Sequence, residues 1–363
     1  MKVQGTLKAS ELFAIIALVI GIKLSDMTPA IYAQTGKNGY WLMPFISFIV
    51  IMPSVLLLVY LLEKYKNKTL VELNRHILGS KIGSVVSFIL FLSTFFALSI
   101  DSRNYVDTIG TMYFDESPEL ILYLIFMTVC AFGAKKGFQA IGSTAWAILP
   151  YIKIALFILL FILLKEVIWL RVFPIFGDGL KEIVIEGAKK GSVFGDLFVI
   201  ATAYPLFKDK KNFRKGYLIG SFFVLIELTF FFLMYCTFYD YKSITKVAFP
   251  FHEITQYINL GTFFTNIETF FMAFWVLCAL FRFVSLLYIT TWLFGDIFNI
   301  KEFEPLVFIV ALIAITVGII PDGPIYDNIA RRENFLDVVT PFLVVFPMVL
   351  WIVAKFKGEL RKE

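Results

Sequence analysis

The chain has 363 residues, of which 59% are apolar and 17% charged, and its formal net charge is +5. Soluble domains carry roughly 45–50% apolar and roughly 25% charged residues, so this composition excludes a soluble globular protein. Three cysteines without a CxxC pair and two widely separated histidines exclude a disulfide framework, a zinc site and a histidine-based enzyme. Basic residues are scattered between apolar stretches, which argues against nucleic acid as a partner. We expect no cofactor.

Ten apolar stretches have about the length of a membrane helix, because a bilayer core of about 30 Å needs roughly 20 helical residues. The first follows Lys2 and Lys8 like a signal peptide, but nine further stretches favour a first membrane helix. The chain is therefore predicted to be an all-α polytopic membrane protein with one transmembrane domain, 1–363. The predicted spans are approximately 10–34, 40–62, 82–110, 117–134, 138–164, 191–207, 216–239, 263–295, 304–321 and 336–355.

Basic residues predict the orientation, because cytoplasmic loops are enriched in lysine and arginine. Loops after even-numbered spans are basic, whereas the first outer loop has Lys37 alone and the second is acidic. Both termini are thus predicted to be cytoplasmic. The basic residues on that side are Lys64, Lys66, Lys68, Arg75, Lys81, Lys135, Lys136, Lys208, Lys210, Lys211, Arg214, Lys215, Lys355, Lys357, Arg361 and Lys362.

The first span is predicted to be broken near its middle. Gly21, Lys23, Ser25 and Asp26 are followed by Pro29, and such residues are poor helix material. Backbone groups freed inside a membrane must be satisfied by a cavity, an ion or a ligand. The alternative is a kinked helix in which Lys23 and Asp26 pair at i,i+3.

The sixth span is predicted to be broken as well. It is short and is interrupted by Gly191, Gly195, Asp196, Thr202 and Pro205. Interrupted segments at corresponding places in two halves point to a transporter binding site. Spans one and six open two five-span halves, about 9–164 and 191–355, and an odd repeat length inverts the second half. This predicts a five-plus-five inverted repeat.

Two segments on the outer side have helical spacing without the length of a span. The stretch 180–186 is predicted to form a short amphipathic helix on the outer face, interrupted at Gly187. The stretch 249–260, which contains Pro250, is predicted to do the same.

The two breaks predict a ligand site. An exposed helix N-terminus offers N–H groups to a carboxylate, and an exposed C-terminus offers carbonyls to a cation. A zwitterionic amino acid has both needs, so we expect a small amino-acid-like ligand between the breaks, and a bulky residue at position 21 should abolish its binding. The candidate ligand-binding residues are Gly21, Ile22, Lys23, Leu24, Ser25, Asp26, Phe194, Gly195, Asp196 and Phe198.

Charged residues within spans are costly and are functional candidates. Lys153, mid-way along span five, is favoured as a proton carrier or as a tethered substitute for a bound cation. Its structural alternative is a buried ion pair with Asp26 or Asp196. Three roles stay open for Glu227: it faces a partner subunit, it carries a proton, or it pairs with Arg282.

The remaining intramembrane charges lie in spans three and eight. Asp101 and Arg103, near the outer end of span three, are either solvated, mutually paired or functional. Glu268 and Arg282 in span eight are further candidates.

The sequence resembles spore germinant receptor B subunits over nearly its whole length. The resemblance lies in Ile20–Pro29 followed by Gly39–Leu42, in Phe173–Gly179, in Phe194–Asp196, and in Tyr204–Phe207 with Lys211 and Asn212. That family belongs to the amino acid–polyamine–organocation transporter superfamily. Membership implies the five-plus-five fold of that superfamily, with a lysine at the position of Lys153 occupying the space of a sodium ion.

The resemblance implies a subunit that works with an A subunit and a C lipoprotein in the spore inner membrane and senses a nutrient such as an amino acid. Lys23 and Asp26 depart from the small residues common in transporters at this break. The first expectation is therefore a nutrient sensor. The alternatives are a proton-coupled amino-acid transporter and a ligand-gated ion or water pathway.

Overall fold

The structure, a computed structural model, describes residues 7–65, 68–207, 210–257, 267–320 and 325–361, without the side chains of 325–328 and 361. Within these ranges the regular structure is helical. The α-helices of this described part are α1 Ala9–Val19, α2 Thr28–Gly36, α3 Met43–Lys64, α4 Leu70–Leu78, α5 Ser80–Tyr113, α6 Glu119–Ala134, α7 Phe138–Leu163, α8 Leu180–Lys189, α9 Asp196–Ala201, α10 Lys210–Phe238, α11 Tyr241–Ile244, α12 Pro250–Tyr257, α13 Ile267–Ile297, α14 Leu306–Ile319 and α15 Ile325–Phe356.

Each of the ten predicted spans corresponds to helical structure. Six described segments are long and apolar enough to cross a membrane, and three shorter apolar helices accompany them; α1 supplies the start of span one. Residues 258–260, 263–266 and 321 of the predicted segments lie outside the described residues, as do Lys66, Lys208 and Lys362. The all-α polytopic architecture is confirmed.

The lipid-facing surface explains the apolar composition. On α7, Tyr151, Ile154, Phe157 and Phe161 are each more than half exposed and follow one another at helical spacing. A soluble protein rarely exposes such a continuous apolar stripe, whereas a bilayer provides its solvent. The core lies instead around α1, which packs against α7, α10 and α13.

The first span is broken as predicted. After α1 ends at Val19, a 3-10 segment covers Gly21–Leu24, and α2 begins at Thr28 with a proline in its first turn. Asp26 lies two residues before α2, and its Oδ1 accepts a hydrogen bond from the Thr28 amide, the first of that helix, at 2.7 Å. The break is wholly buried, so its polar groups require partners from the protein.

The sixth span is also broken, but it extends further than predicted. Helix α8 continues through Gly187 to Lys189 and joins the 3-10 segment Gly191–Phe194, which leads into α9. The prediction that Gly187 interrupts the helix is wrong. A Cβ there would lie 2.9 Å from the Ile46 side chain, so the glycine permits close packing against α3.

Helix α15 begins eleven residues before the predicted start of span ten. It includes two prolines, Pro341 and Pro347. It ends on the side of the bundle at which α1 begins, and we term this side the basic end because it carries the basic residues that follow the even-numbered spans. Shortly after α15, Glu359 accepts a hydrogen bond from the Tyr65 hydroxyl at 2.7 Å and lies 3.2 Å from His76. At the opposite end α12 forms the second predicted short helix.

Candidate functional site

Six charged side chains from five spans meet at the two breaks, and we term them the central network. None is more than 6% exposed. Two come from the first break and one from α9, and α5, α13 and α15 contribute one each. The members are Lys23, Asp26, Asp101, Asp196, Arg282 and Arg332.

Asp196 and Asp101 share the cation Arg282. Asp196 Oδ2 lies 2.8 Å from both Lys23 Nζ and Arg282 Nη1. The other terminal nitrogen of Arg282 donates to Asp101 Oδ2 at 2.5 Å. Spans one, three, six and eight are thereby joined through charge-assisted hydrogen bonds, which are about twice as strong as neutral ones.

Arg332 brings the tenth span into the central network. Its Nη2 donates to Asp26 Oδ2 at 2.6 Å, and its Nε lies 3.5 Å from Asp101 Oδ1. The three acids balance the three cations. Removing one partner from a buried pair costs about 3–5 kcal/mol because it leaves an uncompensated charge, so this balance is required for the packing.

Cationic side chains cover the C-terminal end of α1. Lys153 Nζ donates to the Ala17 carbonyl at 3.3 Å, and Arg282 Nη1 donates to the Val19 carbonyl. The last carbonyls of a helix lack partners within the helix and carry its negative dipole end. In transporters, the exposed carbonyls at the C-terminus of a half-helix can bind a metal cation. Here Lys153 and Arg282 occupy that position.

The break in the sixth span is satisfied in the same way. The Val193 carbonyl accepts a hydrogen bond from Lys23. The Ser192 amide donates to Thr340 Oγ1 of α15 at 2.9 Å. Both breaks are therefore held by side chains of other spans.

Lys153 and Glu227 form a separate, partly buried pair beside the first break. The Lys153 ammonium lies 2.5 Å from Glu227 Oε1. A Cβ on Gly21 would lie 2.6 Å from Glu227 Oε2 and 3.2 Å from Lys153 Nζ, so a larger residue there would force the two charged groups to shift. This contact explains Gly21 independently of any ligand.

Several pairings considered from the sequence are wrong. Lys23 and Asp26 do not pair with each other, because the break turns Lys23 towards α9 and Asp26 towards α15. The partner of Lys153 is Glu227, not Asp26 or Asp196, and Glu227 therefore does not pair with Arg282.

The charges of the outer part of span three separate into two sets. Asp101 is a member of the central network, whereas Arg103 lies 2.8 Å from Asp107 and also pairs with Glu119. The two residues therefore do not pair with each other, because they point to different helices. Glu268 lies in the first turn of α13, far along that helix from Arg282.

Two small cavities adjoin the first break. One is lined by Gly21, Ile22, Leu24 and Ser25 together with Lys153 and apolar side chains of α12 and α13, and leaves about 30 Å³ for the centres of water molecules. The other borders the central network and Gly195 and leaves about 40 Å³. Each volume suits a few waters.

Two predicted contact residues are packing residues. Phe194 and Phe198 are fully buried and line neither of the two cavities. The ring of Phe194 packs edge-on against Phe48 of α3 at 5.3 Å between centroids.

An aromatic chain links the first break to α12. Trp275 Nε1 donates to Ser25 Oγ at 2.9 Å, and its ring stacks on Tyr105. The ring centroid of His252 lies 4.4 Å from that of Trp275, and His252 Nδ1 bonds to the Tyr113 hydroxyl at 2.7 Å. Burial lowers the pKa of His252 to about 3, so the imidazole is neutral.

Sequence reasoning missed Arg332. It falls in a charged stretch between the predicted ninth and tenth spans. The spacing of Arg332, Leu336 and Thr340 at i, i+4 and i+8 places them on one helical face. All three contact the breaks: Arg332 pairs with Asp26, the Leu336 carbonyl accepts a hydrogen bond from Ser192 Oγ at 2.7 Å, and Thr340 accepts one from the Ser192 amide. The helical spacing of these residues was the signal in the sequence that could have identified Arg332.

A second charged cluster joins α8 and α15. The fully buried Lys190 lies 2.9 Å from Glu333, 3.6 Å from Asp337 and 3.8 Å from Glu186. In the described part of the chain, no group of three or more His, Cys, Asp and Glu side chains is placed to hold a metal ion.

Comparison with known sequences identifies the family. The family model described as "Spore germination protein" matches residues 6–324. Spore germination protein KB of Bacillus subtilis (strain 168) is 20% identical over 307 residues, which cover 82% of each chain. Spore germination protein YndE of the same organism is 20% identical over 370 residues, with 98% of this chain and 97% of that protein covered.

Comparison with solved structures identifies the fold. MhsT in complex with L-phenylalanine superposes with a TM-score of 0.66 at 14% identity, covering 98% of this chain and 90% of that one. The Eremococcus coleocola manganese transporter superposes with a TM-score of 0.53 at 13% identity, covering 94% and 78%. The fold is thus the LeuT-type transporter fold, a five-plus-five inverted repeat with broken first and sixth helices.

Proposed function

Because the chain belongs to the spore germination protein family, we propose that it is the nutrient-sensing subunit of a spore germinant receptor and binds an amino acid at its two breaks. The observation that carries this proposal is the central network. It places three carboxylates and three cations where both broken spans meet three further spans. An amino acid carries one group of each kind, so it is suited to compete for these partners.

A ligand that reorganises the central network changes the contacts among five spans at once. A sensor requires no more than this, because a ligand shifts a conformational equilibrium by its differential affinity for the two states. The small cavities are consistent with such coupling, since binding must move Asp26, Asp196 or their partners. Movement of the ligand across the membrane is not needed.

A proton-coupled amino-acid transporter is the second candidate. The Lys153–Glu227 pair favours it, because two ionisable groups within 2.5 Å lie beside the first break and one of them holds an α1 carbonyl. A change in protonation there would alter the end of α1. A ligand-gated ion or water pathway is a third function, which the flux measurement below separates from the other two.

Membership of the family supports a proposal about the partners and the membrane of this chain. We propose that the chain assembles with A and C receptor subunits in the spore inner membrane. Lysines and arginines after the even-numbered spans support cytoplasmic termini. The repeat limits 9–164 and 191–355 remain predictions.

The test uses purified protein in liposomes with an imposed proton gradient and the twenty amino acids, each labelled in turn. Bound and lumenal label are counted separately for the wild type, for Lys153→Ala, and for Lys81→Ala as a matched control at an exposed lysine. Saturable binding without lumenal accumulation is the expected result.

Gradient-driven accumulation that Lys153→Ala abolishes and Lys81→Ala retains would replace the sensor with a transporter. A ligand-induced ion or water flux without accumulation of label would favour the pathway. No saturable binding of any amino acid would contradict both amino-acid functions.

A further inference from the structure

A third cavity lies between α5 and α14, at the end of the bundle opposite the basic end, and we term it the α5–α14 cavity. It leaves about 210 Å³ for the centres of water molecules, whereas the two cavities beside the first break leave about 30 and about 40 Å³. It shares no lining residue with either of them. The proposed function therefore does not use this space.

A buried asparagine offers polar atoms to the α5–α14 cavity. Asn104 lines it and is 2% exposed, and neither its Oδ1 nor its Nδ2 has a hydrogen-bond partner in the part of the chain that the structure describes. Buried polar groups normally have partners, and an asparagine amide supplies two N–H donors and one acceptor oxygen. This amide is therefore suited to bind a polar group that enters the cavity.

Two arginines give the α5–α14 cavity a preference for anions. Arg103 and Arg331 both line it, and no carboxylate is among its lining side chains within the described ranges. Arg103 Nε lies 2.8 Å from Asp107 and its Nη2 pairs with Glu119, but neither acid lines the cavity and Nη1 takes no part in these two pairs. Guanidinium groups bind phosphate oxygens through paired, charge-assisted hydrogen bonds. A phosphate group matches these donors.

The wall of the cavity becomes apolar towards the middle of the bundle. Phe96 is 42% exposed, and Ile100 and Val317 are partly exposed, so this side opens onto the lipid-facing surface. The seven residues from Phe96 to Arg103 rise about 10 Å along α5. Acyl chains fill the middle of a bilayer and phosphates lie at its surface, so the wall follows the order of polarity within a phospholipid.

We propose that the α5–α14 cavity binds an anionic phospholipid from the leaflet at this end of the bundle. Arg103 and Arg331 bind the phosphate, and the acyl chains pass Phe96 and Val317. Asn104 binds the head group, because a hydroxyl donates to its Oδ1 and accepts from its Nδ2. A glycerol head group carries two such hydroxyls. This inference goes beyond the proposed function and does not rest on it.

The experiment counts the phospholipids that the purified full-length protein retains. The protein is reconstituted into vesicles of phosphatidylglycerol and phosphatidylcholine in equal amounts and extracted into mild detergent, and native mass spectrometry identifies the bound lipid. The variants are Asn104→Leu, Arg331→Gln and Val317→Trp, which narrows the mouth of the cavity without changing a charge. Arg214→Gln is the matched control at an exposed arginine of the basic end.

The wild type should retain about tenfold more phosphatidylglycerol than phosphatidylcholine, as expected for charge-assisted hydrogen bonds. Asn104→Leu, Arg331→Gln and Val317→Trp should each lose most of this preference, and Arg214→Gln should keep it. Val317→Trp stays informative if Arg331→Gln does not fold, since Val317 is partly exposed.

Thermal unfolding separates lipid binding from a folding defect. In micelles without phospholipid, Asn104→Leu should unfold at a temperature no lower than the wild type, because its amide has no protein partner to lose among the described residues. Added phosphatidylglycerol should raise the thermal midpoint of the wild type and of Arg214→Gln, because it binds the folded state. The midpoint of Asn104→Leu should stay where it is.

Three results would overturn the inference. The first is equal retention of phosphatidylglycerol by Arg214→Gln and the three cavity variants, and the second is equal retention of both lipids by the wild type. The third is a rise in thermal midpoint with inorganic phosphate or glycerol 3-phosphate that matches the rise with phosphatidylglycerol, which would assign the cavity to a soluble phosphate. None of these results depends on amino-acid binding, so the proposed function is tested separately.

Discussion

Replacing Gly21 with alanine tests the contact between the first break and the Lys153–Glu227 pair. The new Cβ would lie 2.6 Å from Glu227 Oε2, almost an ångström inside the ordinary contact distance of about 3.5 Å. Overpacking of this kind costs about 1–3 kcal/mol, and alanine recovers about 0.5–1 kcal/mol through lower backbone entropy in the unfolded chain. We expect the free energy of unfolding to fall by about 1–2 kcal/mol.

The assay is equilibrium unfolding in mixed micelles, followed by tryptophan fluorescence, within a double-mutant cycle. Glu227→Asp shortens the side chain by one methylene and keeps its charge, so it relieves the overlap with the alanine. Gly21→Ala in the Glu227→Asp background should therefore cost about 1 kcal/mol less than in the wild type. Gly110→Ala is the control, because its Cβ would meet only Leu122 at 3.6 Å.

Two outcomes would refute this reasoning. If Gly21→Ala leaves the free energy of unfolding unchanged, as Gly110→Ala is expected to do, the close contact at Gly21 does not exist. Strict additivity of Gly21→Ala and Glu227→Asp would mean that the alanine destabilises the protein through something other than the pair.

Three further predictions concern groups around the first span. Acidification should destabilise the protein as the pH falls below about 6.5, the ordinary pKa of a histidine. The folded pKa of His252 is about 3, so the unfolded chain binds the proton first. Between pH 7 and pH 5 the thermal midpoint of the His252→Asn variant should therefore fall less than that of the wild type. Amino-acid binding should be the same in sodium and in choline buffer, since Lys153 and Arg282 cover the α1 carbonyls; a loss of affinity without sodium would contradict this. Gly216→Ala should cost at least about 2 kcal/mol in unfolding free energy, because its Cβ would overlap the backbone of Ala9; unfolding like that of wild type would show that α1 and α10 separate easily.

Features that depend on local sequence were predictable. The first break follows from Gly21, Pro29 and polar residues inside an apolar stretch, and the structure confirms it. Hydropathy located the ten spans for the same reason, since each span is apolar by itself. Gly187 was misinterpreted because its role is to accommodate Ile46 of another helix, and a local pattern does not contain that information.

The central network was predictable only in part. Lys23, Asp26, Asp196, Asp101 and Arg282 were identified as costly charges inside spans, but their partners depend on the arrangement of helices far apart in sequence.

Arg332 was missed because hydropathy penalises the charged first turns of α15, although these turns share a helical face with the apolar part of the span. The role of Lys153 and the identity of the ligand stay predictions.

The place of Arg332 near one end of α15 gives that helix a mechanical meaning. From Arg332 to Phe356 it rises about 36 Å, and three residues later Glu359 is fastened to Tyr65. A displaced guanidinium either bends this rod at its internal prolines or strains the far anchorage. One continuous helix therefore links the Asp26–Arg332 ion pair to the Tyr65–Glu359 contact at the basic end of the bundle.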